Sequence, residues 1–151
     1  MNHALLNALV AERVMGWKWI EFDSKDYDGI NFHIRVIVPK EYMQDDVLRH
    51  LPNRGGVSEH FLLNARFDPS RNIAHAHEMR DKVLRENPWC VESECWTIGG
   101  KQWFRVCITH RSTDEMICAS LEADSECIAI CLAALRAVGV TDKEIEEVAN
   151  G

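Results

Sequence analysis

Residues 90–110 constrain the fold of this chain most, because they specify both a hairpin and its register. Two strand-like runs flank Gly99-Gly100, a dipeptide that tolerates the positive φ angles of a two-residue turn. With the turn there, residues whose numbers sum to 199 face each other. Trp96 then opposes Trp103 and Glu94 opposes Arg105, all on one face, while Cys95, Phe104, Val106 and Ile108 fall on the other. Opposed aromatics and opposite charges are favourable cross-strand pairs, so two independent pairings support the same register.

The 151 residues fit one domain, long enough to bury a core without disulfides or metal. Hydrophobic content of 46% and charged content of 27% are ordinary for a globular protein. The formal net charge of −7 disfavours sequence-independent binding to DNA or RNA, which needs clustered Lys and Arg. It leaves room for a local basic pocket that takes a small anion. No signal peptide or membrane span is visible, so the expected setting is the cytoplasm and no membrane partner is expected. The six cysteines, Cys90, Cys95, Cys107, Cys118, Cys127 and Cys131, form no CxxC pair. Most lie inside strand or helix patterns, where a reduced thiol packs as a small hydrophobe.

Residues 2–15 read as a helix with Leu5, Leu6, Leu9 and Val10 on one arc, Asn2 as its cap and Gly16 as its stop. Residues 17–22 look extended, 23–29 form a loop or hairpin tip, and 30–38 form a strand that ends at Pro39. A short helical turn is expected at 46–51, a loop at Pro52 to Gly56, and a strand at 58–66. Asp68-Pro69-Ser70 opens a second long helix that runs to about Glu86, before Pro88. After the hairpin come a strand at 116–122, a helix at 125–138 closed by Gly139, and a charged helix at 141–149. Thr141 caps the last, with Glu144 in capping-box position.

The helix at 125–138 decides the architecture. Cys127, Ile128, Ile130, Cys131, Leu132, Ala134, Leu135 and Val138 wrap most of its circumference. Such a helix is buried on more than one side. It should lie across an antiparallel sheet and touch another helix or another subunit, in an α+β sandwich.

Three segments carry a resemblance. They are Val10-Ala11-Glu12-Arg13-Val14-Met15-Gly16-Trp17, Phe67-Asp68-Pro69-Ser70-Arg71-Asn72-Ile73-Ala74 and Ile130-Cys131-Leu132-Ala133-Ala134-Leu135. In this order and spacing they resemble the phage ABA sandwich domain family, small phage and prophage proteins. The segment 23–57 lies outside the similarity and reads as an insertion or divergent loop in an otherwise single domain over 1–151. The resemblance implies an α-β-α sandwich with a mainly antiparallel sheet, a phage or prophage origin and a bacterial cytoplasm. It brings no catalytic residues and no cofactor. One departure is His77, early in the second helix, where the family often has a Trp.

Candidate sites come from misplaced charge and spare aromatics. On the second helix, Arg80 sits at the centre of the arc of Ile73, Ala76, Val83 and Leu84, with His77 beside it. A guanidinium is costly to bury unpaired. Arg80 therefore covers apolar surface from the rim, pairs with an acid such as Glu94, or joins His77 in holding a phosphate or carboxylate. Arg13 repeats the pattern one turn before Gly16, either as a favourable charge at a helix C-terminus or as a ligand contact. The face of Trp96, Trp103, Glu94 and Arg105 either lies under a helical layer or offers a platform for a flat, anionic ring. Trp17, Lys18 and Trp19 add a further aromatic–basic cluster. His75 and His77, two apart on a helix, diverge by about 200° and chelate one metal poorly. No nucleophile elbow, phosphate loop or HExxH motif appears, so no enzyme is expected.

Two function classes follow. One is a non-catalytic, oligomeric phage protein that sequesters a small nucleotide-derived defence signal of its host, with Trp96, Trp103, Arg105, Arg80, His77, Arg13 and Trp17 as candidate contacts. The other is an interaction module that uses its faces to self-associate or to grip a protein.

Overall fold

In the computed structural model, which describes residues 1–25, 28–50 and 67–151, the chain order is helix α1 (His3–Arg13), strands β1 (Lys18–Lys25) and β2 (Asn31–Val38), and helices α2 (Gln44–His50) and α3 (Ile73–Glu86). Strands β3 (Trp89–Ile98), β4 (Lys101–His110) and β5 (Met116–Ala119) follow, then helices α4 (Glu126–Ala137) and α5 (Asp142–Asn150). All ladders among the described residues are antiparallel, and helices pack against them, which makes the fold an α+β sandwich. The strands divide into two sheets, β1-β2 and β3-β4-β5. The expected strand at 58–66 and the loop from Pro52 to Gly56 lie outside the described residues.

Local signals placed most boundaries. Asn2 caps α1, its side chain accepting the Leu5 N–H at 3.3 Å, and Gly16 ends the segment at φ +69°. Extended backbone runs on from Phe22 to Lys25, through what the polar residues suggested was a loop tip, because Glu21, Phe22 and Asp23 pair with Arg35, Ile34 and His33. The helix opened by Asp68-Pro69-Ser70 starts instead at Ile73, with Asn72 as its cap: the Asn72 side chain accepts the Ala74 N–H at 3.0 Å. At α5 both arms of the capping box form, between Thr141 and Glu144.

Helix α4 is the centre of the main core. Its residues from Cys127 to Leu135 are all buried, and it meets β4, β5, α3 and α1. The helix thus finds its several partners within its own chain. Val106 and Ile108 face it from β4, Met79 and Val83 from α3, and Leu6 and Val10 from α1. Strand β2 separates two cores by strand alternation. Ile37 points into the main core, whereas Ile34, Val36 and Val38 join Val47 of α2 in a second, smaller one.

Candidate binding surface

The β3–β4 hairpin forms in the register that its turn dictates: Glu94 pairs with Arg105, Trp96 with Trp103 and Ile98 with Lys101. Gly99 and Gly100 take φ +60° and +80°, the paired positive angles of a two-residue turn that side chains resist. Because side chains alternate across a strand, the hairpin has two distinct faces. Val91, Phe104, Val106 and Ile108 turn to α4 and the main core. Glu94, Trp96, Trp103 and Arg105 turn the other way, and among the described residues neither indole belongs to either buried core.

On this outward face cations and rings alternate. Lys101 Nζ lies 4.8 Å from the ring centroid of Trp103, and Arg105 Cζ lies 5.9 Å from that of Trp96. The quadrupole of each indole attracts the cation over it. Arg105 donates from Nε and Nη2 to Glu94 Oε2, at 2.9 and 2.5 Å, and these bonds hold its guanidinium pKa above the ordinary value. Lys101 is 3.3 Å from Asp124 Oδ2. The face is therefore a set of partly buried rings beside charges already oriented by their partners, with Arg105 Nη1 and Glu94 Oε1 unused among the described residues.

The remaining candidates do not gather there. Arg80 donates from Nε and Nη2 to Asp81 Oδ1, at 3.0 and 2.9 Å, not to Glu94. The buried arc of α3 is Ala76, Met79 and Val83, while Ile73 is 41% exposed, so the helix is rotated from the expected arc and Arg80 falls at its edge. His77 is partly buried, and no hydrogen bond or ring contact joins it or Arg80 to the hairpin among the described residues. Arg13 Nη2 binds Glu144 Oε1 at 3.0 Å and ties α1 to α5. Trp17 packs on Phe67, with ring centroids 5.0 Å apart, against the main core. Of the seven candidates, only Trp96, Trp103 and Arg105 share a surface.

A polar network at the start of α1 was hidden in the sequence. Asn7 and Ser70 are both 1% exposed. Asn7 Nδ2 donates to Asp68 Oδ1 at 2.6 Å, and Asn7 Oδ1 accepts the Ser70 N–H at 3.0 Å. His3 Nδ1 is 2.9 Å from Ser70 Oγ, and the Asp68 N–H donates to His75 Nδ1 at 2.9 Å. His3, Asn7, Asp68 and Arg71 line a cavity of about 420 Å³. Burial, then the Arg71 charge, lowers the His3 pKa. The arrangement has Ser, His and Asp but not the order of a catalytic relay, because Asp68 contacts Ser70 rather than orienting His3. It fastens the 68–71 turn to α1. The sequence signal was Asp68-Pro69-Ser70, which reads as a helix opening until Asn7 is placed beside it.

Among the described residues no cluster of three or more His, Cys, Asp or Glu is arranged to hold a metal ion, and no helix is long and apolar enough to cross a membrane. The phage ABA sandwich domain matches residues 8–135, a span that takes in the second half of α1, both sheets and nearly all of α4. Searches of the curated proteins and of the solved structures found no match.

Proposed function

Because the chain belongs to the phage ABA sandwich domain family, we propose that it is a phage accessory protein that binds a ligand without transforming it. Its capture surface is the outward face of the β3–β4 hairpin. The observation that carries this reading is the cross-strand pair Trp96–Trp103, held outside both cores, with Lys101 and Arg105 over the two rings. Indoles stack on flat rings, and the adjoining cations favour a ligand that carries negative charge. A nucleotide-derived molecule has both properties, and a phage protein that captures one inside its bacterial host keeps a defence signal from its effector. Arg80, His77, Arg13 and Trp17 have no part in this surface.

A second reading is a protein-interaction module. Exposed Ile98 at the hairpin tip, and Met116 and Ile117 on β5, support it. A thermal-shift screen of the full chain separates the two readings. Cyclic dinucleotides, cyclic ADP-ribose variants and mononucleotides are the probes. The capture reading expects one class to raise the melting temperature, Trp103→Ala to abolish that rise, and the nucleotide to be recovered intact after denaturation. A flat response to every probe overturns it.

A further inference from the structure

The outward face of the three-stranded sheet is sorted by charge along its strands. Strand β3 presents Glu92 and Glu94, whereas β4 presents Lys101 and Arg105. The two rows lie side by side and match at two levels, Glu94 opposite Arg105 and Trp96 opposite Trp103, while Glu92 stands opposite Cys107 and Lys101 opposite Ile98. A surface of this kind is complementary to its own copy under one rotation. A twofold axis parallel to the strands, between β3 and β4, lays β3 of one copy over β4 of the other. The partner's Glu94 then falls over Arg105, and the partner's Trp96 over Trp103. An axis across the strands instead lays acidic row on acidic row and basic row on basic row.

We propose that a second copy of this chain docks face to face on the β3–β4 hairpin about that twofold axis, so that Glu94 and Arg105 pair across the interface as well as within each chain. The atoms for the second pairing are free among the described residues. The Glu94–Arg105 contact uses Oε2, Nε and Nη2 and leaves Oε1 and Nη1. Exposed Ile98 (62%) lies on the same face at the hairpin tip and loses water contact on docking. Stacked sheets sit about 10 Å apart, enough for the opposing indoles to interleave. The ten-residue strands β3 and β4, with the four-residue β5 beside them, present a face of at most roughly 14 by 30 Å, smaller than the ~800 Å² per partner of a stable complex. The dimer is therefore weak and concentration-dependent on its own. A flat ring held between the two indole pairs tightens it, and this last step alone rests on the capture reading.

Sedimentation of the full chain over a wide concentration range, without nucleotide, tests the docking. The expected result is a monomer–dimer equilibrium in the wild type. Glu94→Arg and Arg105→Glu each weaken it at least tenfold, because each homodimer then opposes like charges. An equimolar mixture of the two variants recovers association, since both contacts across the interface become opposite-charge pairs again. No rearrangement within one chain explains that recovery. Circular dichroism on each variant checks that it is folded. A wild type that stays monomeric at every concentration overturns the inference, as does a dimer indifferent to both variants or a mixture no tighter than its components. Dimerisation in a chain that ignores every nucleotide sinks the capture reading and leaves the docking intact. A monomer that binds nucleotide does the reverse.

Discussion

Ser70 is 1% exposed, and its hydroxyl touches both His3 and Asp68, so its removal takes a hydrogen-bond partner from two partly buried side chains. Loss of a buried hydrogen-bond partner typically costs about 1–3 kcal/mol. Ser70→Ala should therefore lower stability by about 1–2 kcal/mol in chemical denaturation while the hairpin face is unchanged. Among the described residues, His3 and His33 are perturbed, and they act in opposite directions with pH. Burial and Arg71 lower the His3 pKa, so its contribution is present above the ordinary imidazole value of about 6.5 and is lost as pH falls through the lowered pKa. Asp23 and then Glu21 raise the pKa of His33, which lies 2.9 and 2.8 Å from their carboxylates. Its contribution is present below the unfolded value and is lost as pH rises through the raised one. Titration of the imidazole C–H resonances should place the His3 midpoint below, and the His33 midpoint above, that of an unfolded histidine. Coincident midpoints would contradict both assignments.

Helix α4 and the β3–β4 hairpin are specified in different ways. The helix depends on burial. Leu135 is fully buried, and truncation at such a site leaves a cavity that neighbours fill only in part. Leu135→Ala should cost about 2–5 kcal/mol, visible as a lower denaturation midpoint, whereas the same change at Val138, 43% exposed, should cost far less. The hairpin depends on its turn. Gly100 stands at φ +80°, and the space a Cβ would occupy there has no neighbour within 4 Å, so a side chain meets backbone strain rather than a clash. A residue forced into that region costs about 1–2 kcal/mol. Gly100→Val should show that loss in thermal unfolding and weaken both capture and self-association through the hairpin, although position 100 touches neither. A variant with unchanged stability would mean that another turn is accessible.

Across the whole molecule, burial grades the thiols. Cys95 is exposed, Cys118 is partly buried with its pKa pushed up to about 11, and burial raises Cys127 and Cys131, the latter most strongly. A thiol reacts as its thiolate and only where reagent reaches it. Disulfide exchange with a soluble aryl disulfide should label Cys95 first and Cys131 only as the protein unfolds, with mass spectrometry to assign the sites. Early labelling of Cys131 would mean that α4 is less enclosed than the core packing implies.

Some of this molecule was legible before any coordinate. The register of Trp96 against Trp103, the Asn2 cap, the Gly16 stop and the Thr141–Glu144 box all rest on contacts within a few residues or across one tight turn. The apolar circumference of α4 likewise foretold its burial, because a helix without a polar side has no face to give to water. Tertiary structure alone decided the rest. It rotated α3 to bury Met79 and leave Ile73 exposed, and it joined Asn7 to Asp68 across 61 positions. It also tied Arg13 of α1 to Glu144 of α5, across 131 positions. Arginine reaches any acid that packing brings near, and periodicity within one element carries no record of its neighbours. That is why the indole pair could be read from the chain, while which face of the sheet joins the main core was decided only when α4 took the other side.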